Sequence, residues 1–336
     1  MSRDGAGNGA RNTVAEVVAA LAEPGTRYVL TSHHNPDGDA IGSMLGLARA
    51  MRAAGQDVTL AHPDPDPVPE ELAFLLAPGE EILPALPDDV GERTLVALDC
   101  ASEKRLWAEP VHRSAGRLIN VDHHQDNPAY GHLNLIAPLA SSTAEVVVEL
   151  VTAAGWPITA EVADPLYVGL VTDTGRFSYS NTGPRSHRVA AELLAAGADV
   201  PGISRRLYEN HTLPRLRLLG RALEAATLSP DGRVMTAVLT KADFAAVGED
   251  DTEGIVEVMR GVRGIEVAGL VTEAGPEGAY RVSLRSPGGA GVDVSQIAHV
   301  EGGGGHKAAA GFTTRRPPGE LVPWIEATVR EALDGR

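Results

Sequence analysis

Four short apolar runs in this chain each end abruptly in acidic residues or histidines. Residues 28–32 lead into His33-His34-Asn35-Pro36-Asp37-Gly38-Asp39, and residues 94–98 into Asp99. Residues 117–121 lead into Asp122-His123-His124, and residues 168–172 into Asp173-Thr174-Gly175. Unbroken apolar runs of this length, interleaved with helical patterns, suit a mainly parallel sheet covered on both faces. In such a sheet, ligands bind outside the carboxyl ends of the strands. Four ligand groups at the ends of four runs can therefore meet in one crevice.

The ligand chemistry points to divalent metals. Carboxylates and imidazoles favour Mn²⁺, Mg²⁺ or Fe over a structural zinc, which would call for thiolates. The chain has one cysteine, Cys100, and so no internal disulfide. Two metals about 3.5–4 Å apart can activate a water and stabilise both the attacking and the leaving oxygen in phosphoryl transfer. Taken singly, the residues have plainer explanations. Asp173 suits a cap or turn, Asp37-Gly38-Asp39 a turn, and His33 and His34 the surface. As a set they read as a two-metal hydrolytic centre. An EF-hand does not fit, because apolar Ile41 takes the fifth position of the loop.

The second half carries its own signal. Gly302-Gly303-Gly304-Gly305-His306 lets a backbone approach a ligand without Cβ interference, and its N–H groups can cradle phosphate oxygens. A flexible loop is the alternative. Arg285, at the end of the expected strand 280–285, can pair with a phosphate or stack on a base.

The order His-x-x-Pro-Asp-x-Asp, strand-terminal Asp, Asp-His-His and Thr-Asp-Thr-Gly resembles the DHH phosphoesterases. The glycine run with its histidine and Ala-Ala-Gly-Phe resembles the DHH-associated domain. Together the motifs span nearly the whole chain from about residue 12. The compact length is similar to the branch of nanoRNases and pAp phosphatases, which also holds linear and cyclic dinucleotide phosphodiesterases. The resemblance implies that His33, Asp37 and Asp99 hold one Mn²⁺, with Mg²⁺ as the alternative ion. Asp39, Asp99, His123 and Asp173 would hold the other, so that Asp99 bridges. Asp99 and His124 would be the catalytic pair, with His124 facing the scissile phosphate. Asp122 would orient a histidine. Arg285, Gly303, Gly304, Gly305 and His306 would face the substrate. The resemblance also implies a homodimer.

The expected fold class is α/β in two domains. Residues 13–197 form a mainly parallel sheet flanked by helices, and 198–226 a helical connector. Residues 227–336 form a smaller mixed-sheet α/β domain, and residues 1–12 a disordered start. Helices are expected over 14–21, 41–54, 143–154, 160–172 and 184–196, and a capping box over Ser142-Thr143-Ala144-Glu145. The formal charge, 29 minus 45, is −16, which argues against a long basic track for duplex nucleic acid. No apolar stretch of 18 residues and no leader pattern is present, so a cytoplasmic protein away from the membrane is expected. The expected substrates are short oligonucleotides, linear dinucleotides such as pApA, and pAp. The alternatives are a cyclic dinucleotide phosphodiesterase, a RecJ-like exonuclease, a pyrophosphatase and a non-catalytic nucleotide sensor.

Overall fold

The computed structural model describes residues 11–62, 64, 68–106, 114–273, 278–287 and 291–335, with only the backbone of His306. The disordered start expected over residues 1–12 lies outside the described residues as far as residue 10. Asn12 exchanges hydrogen bonds with Asn134, donating at 2.6 Å and accepting at 2.8 Å. Two compact units make up the chain, Met1–Asn210 and His211–Arg336.

The strands of the first unit are β1 (Arg27–Thr31), β2 (Asp57–Ala61), β3 (Ile82–Leu83), β4 (Thr94–Leu98), β5 (Arg117–Asp122) and β6 (Leu133–Ile136). Its helices are α1 (Val14–Leu21), α2 (Gly38–Ala53), α3 (Thr143–Ala153), α4 (Ala160–Asp173), α5 (Pro184–Ala195) and α6 (Val200–Tyr208). The strands pair in parallel in the order β3-β2-β1-β4-β5-β6. From β1 the chain winds outward to one edge, then returns to β4 and winds to the other. The topological switch therefore lies between β1 and β4, where a crevice opens at the strands' carboxyl ends.

The two faces of this sheet are covered differently. Tyr28, Leu30, Val96, Leu98, Ile119 and Val121 join the apolar side chains of the helices in one large core. The opposite face, with Val29, Leu95, Ala97 and Leu118, is packed among the described residues by Val90, Leu106 and Ala115 from short connections. The apolar runs predict helices on both faces, and the described α-helices gather on one.

Helix α2 begins earlier than its apolar period implies. Asp37 caps it, its Oδ1 accepting from the Asp39 and Ala40 amides at 3.0 and 3.1 Å. The helix is buried almost all round rather than along one stripe. Its second buried face is the glycine series Gly38, Gly42 and Gly46, spaced one turn apart against α4. A Cβ on Gly42 would lie 2.3 Å from the Pro165 carbonyl oxygen and 2.9 Å from the Gly169 nitrogen. Backbone atoms cannot yield as a flexible side chain can. Gly42→Ala is therefore expected to cost about 1–3 kcal/mol. Gly220 lies mid-helix, and a Cβ there would meet nothing within 4 Å, so Gly220→Ala is expected to stabilise by about 0.5–1 kcal/mol. Denaturant melts of the two variants measure both shifts.

The second unit holds α7 (Leu213–Glu224), β7 (Thr227–Leu228), β8 (Val234–Leu239), α8 (Lys241–Val247), α9 (Ile255–Arg260), β9 (Val267–Glu273) and β10 (Tyr280–Arg285). It continues with α10 (Val294–Val300), β11 (Gly304–His306), β12 (Ala309–Thr314) and α11 (Pro318–Asp334). The strand order is β11-β12-β10-β9-β8-β7, with β8 and β9 parallel and the other pairs antiparallel. Helices α10 and α11 pack on one face, and α7 and α9 on the other. The glycine run is neither a loop nor a turn at its end, since Gly304, Gly305 and His306 form the edge strand. None of the described helices is long and apolar enough to cross a membrane.

Candidate metal centre

The crevice between β1 and β4 collects the acidic residues and histidines. His33 follows β1 and is nearly buried, at 4% exposure. Its Nδ1 lies 2.8 Å from the His34 carbonyl oxygen, and its Nε2 lies 3.7 Å from Asp99 Oδ2. With a cation bound, donation from Nδ1–H to that carbonyl would leave the Nε2 lone pair free to ligate it beside Asp99. Asp37, the exposed member, completes a group with His33 and Asp99 whose ligand atoms all lie within 4.8 Å of one another.

A second group of the same span joins Asp39, His123 and Asp173. His123 Nε2 faces Asp173 Oδ2 at 3.5 Å, Asp99 Oδ1 at 3.6 Å and Asp39 Oδ2 at 4.0 Å. Asp99 stands between the two groups. It adopts φ +55°, a left-handed backbone that few non-glycine residues take. Among the described non-glycine residues, Asn35, Ala129, Arg176 and Phe177 also have positive φ, and Asn35, Arg176 and Phe177 lie within a few residues of a member of the cluster. Strain of this kind is typical of functional sites.

Asp37, Asp39 and Asp99 are each placed by a specific contact. Asp39 sits in the first turn of α2, brought against α4 by the glycine series. Its oxygens accept from the Thr143 and Ala144 amides at 2.6 and 2.8 Å, at the amino end of α3. Thr143 Oγ1 donates to Asp99 Oδ1 at 2.9 Å. The expected capping box forms only in part. Ser142 accepts from the Glu145 amide at 3.1 Å, but the Glu145 carboxylate turns to Ser141, accepting from its hydroxyl at 2.7 Å. Asp173 is the last residue of α4, where the helix dipole disfavours a negative charge. A capping role is therefore ruled out for it on position alone.

His124 differs from His123. Its Nδ1 donates to Asp122 Oδ1 at 2.7 Å, which leaves Nε2 as the atom it can offer to a ligand. Asp122 is fully buried and also accepts from the His123 and His124 amides at 2.8 and 3.3 Å.

The electrostatics fit a bound cation. Burial and the charges of Asp99, Asp173 and Asp37 hold the Asp39 carboxyl well above the usual range. Burial, only partly offset by His123, pushes Asp173 up to about 7. Burial acts on Asp99 too, but His33, His123 and His124 outweigh it and hold Asp99 at about 2. The hydrogen bond to Asp122 raises His124 to about 9, against the effect of burial. Asp173 Oδ2 is buried with no hydrogen-bond partner, so its remaining lone pairs are open to a metal. Hard oxygens and imidazole nitrogens with no thiolate suit Mn²⁺ or Mg²⁺ better than a structural zinc.

Several contacts around the cluster had no signal in the sequence. Arg105 lies with a guanidinium nitrogen 2.8 Å from His33 Nδ1 and donates to the His34 carbonyl at 3.1 Å. His62 Nε2 lies 2.9 Å from the His33 carbonyl oxygen. His34 Nδ1 lies 2.5 Å from Asp64 Oδ1. These partners come from other strand ends, so no local spacing marks them.

The second unit places its own predicted residues in one row. His306 pairs with Ala309, and Ala309 pairs with Arg285. The His306 side chain lies outside the described residues. Arg285 Nε donates to Glu257 at 2.7 Å. Two of the glycines serve packing. A Cβ on Gly303 would meet the Gly311 carbonyl oxygen at 2.2 Å, and one on Gly305 the Ala309 carbonyl oxygen at 2.5 Å. At Gly304 the nearest atom would be His299 Nε2 at 3.8 Å, which leaves its backbone the most approachable of the three.

Comparison with known proteins agrees with this geometry. Residues 27–170 match the DHH family, N-terminal domain. The chain is 39% identical over 302 residues to the bifunctional oligoribonuclease and PAP phosphatase NrnA of Thermus thermophilus, covering 90% of this chain and 87% of that protein. It is 28% identical to the protein of the same name from Bacillus subtilis, covering 89% of this chain and 90% of that one. An exopolyphosphatase-related protein from Bacteroides fragilis has a similar structure, with a TM-score of 0.86 and 27% identity over 95% of this chain and 96% of that one.

Proposed function

The chain belongs to the DHH family of phosphoesterases, and on that premise we propose that it hydrolyses short oligonucleotides and linear dinucleotides and removes the 3′-phosphate of pAp. One observation carries the reading: Asp39, Asp99 and Asp173 converge on His123 Nε2. His33, Asp37 and Asp99 would hold one Mn²⁺ and Asp39, Asp99, His123 and Asp173 a second, with Mg²⁺ as the alternative. Bound there, the pair would supply Lewis-acid activation of water and neutralise charge developing on the phosphoryl oxygens.

The chain's own groups do the rest. Asp99 is shared between the two ligand sets. His124, held at Nδ1 by Asp122, directs Nε2 to a phosphoryl oxygen and stabilises its charge. In the second unit, the Gly304 backbone, Arg285 and His306 recognise a terminal phosphate or base. Arg285 would exchange its contact with Glu257 for that phosphate. The −16 charge supports short substrates, since a long strand needs many phosphates neutralised. Action as a cytoplasmic homodimer belongs to the same proposal.

Chromatography of products after incubating metal-stripped protein with pApA, with and without Mn²⁺, tests the reading. Mn²⁺-dependent release of AMP is expected, and pAp is expected to yield AMP and phosphate. Turnover of inorganic pyrophosphate or polyphosphate with neither nucleotide touched would replace this reading with the one that the name of the Bacteroides fragilis relative suggests.

A further inference from the structure

Beneath the metal centre lies a buried polar network that the proposed chemistry does not use directly. Its hub is Asn127, at 5% exposure. Its Nδ2 donates toward Asp122 Oδ2 at 2.5 Å, Asn120 Oδ1 at 2.7 Å and the Cys100 carbonyl oxygen at 3.3 Å. Its Oδ1 accepts from the Ala129 amide at 2.8 Å. Ala129 has φ +58°, so this contact closes a turn around another left-handed residue.

The Cys100 carbonyl is held unusually firmly. Asn127 Nδ2 and Asn120 Nδ2 approach it at 3.3 Å, and the Tyr130 hydroxyl donates to it at 2.9 Å. That carbonyl belongs to the residue after Asp99, whose φ of +55° turns its carboxylate toward the crevice. A left-handed aspartate persists only where its surroundings fix it. The same amide grips the far oxygen of Asp122, whose near oxygen holds His124. One side chain thus touches the supports of both Asp99 and His124, which come from different strands.

We infer that Asn127 is the positioning residue that couples the Asp99 turn to the Asp122–His124 pair, setting metal affinity and turnover together. The inference rests on the proposed metal centre. Loss of a partner that orients a metal ligand costs about 10–100-fold in affinity or activity.

Two variants and a control test it. Asn127→Ala removes every contact. Asn127→Asp keeps an oxygen for the Ala129 amide, and so the turn, but loses the donor to Asp122, Asn120 and Cys100. Asn134→Ala is the control. Asn134, in β6, is as deeply buried, and its side chain bonds the Gly131 backbone. Calorimetric titration of the metal-stripped proteins with Mn²⁺ is expected to show about 10–100-fold weaker binding in both Asn127 variants. Their kcat on pApA should fall with KM unchanged. Asn134→Ala should lower only the melting temperature. Crystal structures of the Asn127 variants should show Asp99 leaving its left-handed conformation or His124 leaving Asp122. The inference falls if both sites keep wild-type geometry and Mn²⁺ affinity, or if the control loses affinity equally. If wild type binds Mn²⁺ but leaves pApA intact, the substrate reading fails, and the structures and the Mn²⁺ titrations still decide the role of Asn127.

Discussion

Metal-free Asp173→Asn protein is expected to melt higher than metal-free wild type, yet to lose the gain from Mn²⁺ and nearly all turnover of pApA. The Asp173 carboxylate carries three penalties. Its Oδ2 is buried without a hydrogen-bond partner. It ends a helix, where the dipole opposes a negative charge by about 0.3–1 kcal/mol. Burial also pushes its pKa up to about 7. A neutral amide of the same shape removes the second and third of these, which act on the charge, a gain of about 0.5–2 kcal/mol in the range typical of single stabilising substitutions. The loss of turnover should exceed the roughly 10–100-fold that follows removal of a ligand's partner, because a ligand itself is removed. Asp99→Asn is expected to be as inactive but to gain no stability. His33, His123 and His124 already compensate that charge and hold Asp99 at about 2. Melting of the stripped variants and their titration with Mn²⁺ measure both effects. A metal-free Asp173→Asn protein that melts lower and binds Mn²⁺ like wild type would overturn this account of the site.

Stripping the metals with a chelator is expected to cost more stability as pH rises. In the metal-free fold Asp173 has a pKa of about 7, above the ordinary value of 3.8. Between those values the folded state binds more protons than the unfolded one, so stability falls as pH rises through the window. His124, raised to about 9, has the same sign from about 6.5 upward. Mn²⁺ binds the ionised carboxylate, so binding releases protons and strengthens with pH. The melting-temperature gap between Mn²⁺-loaded and chelated protein should therefore widen from about pH 4 to pH 7. At pH 7, Mn²⁺ at a hundred times its dissociation constant would stabilise by about 2.7 kcal/mol. Scanning calorimetry of both forms at each pH reads the gap directly. A constant gap would mean that Asp173 does not hold the cation, and in Asp173→Asn the lower part of the trend should weaken, since Asp39, also raised, contributes with the same sign.

Much of this was legible because strand ends are local. The runs before His33, Asp99 and Asp122 are β1, β4 and β5, and their terminal residues reach one crevice because parallel strands end on the same side. The strand 280–285 and the helix 14–21 were equally readable from their periods. The run before Asp173 belongs to a helix, and only the packing of α4 on α2 carries that residue to the cluster. No period reveals that packing, because Gly42 and Gly169 act through the absence of a side chain. The glycine run before His306 reads, from its composition, as a ligand cradle or a loop. Packing against β12 gives Gly303 and Gly305 a structural role that composition does not reveal, since contact between strands is non-local.

The sequence by itself determined which residues can carry metal chemistry and at which strand ends they stand, because ligand type and apolar runs are local properties. Only the tertiary structure decided that Asp173 faces His123 and that Asn127 joins the supports of Asp99 and His124. Those contacts link segments that no local spacing relates, and burial makes each hydrogen bond between them obligatory.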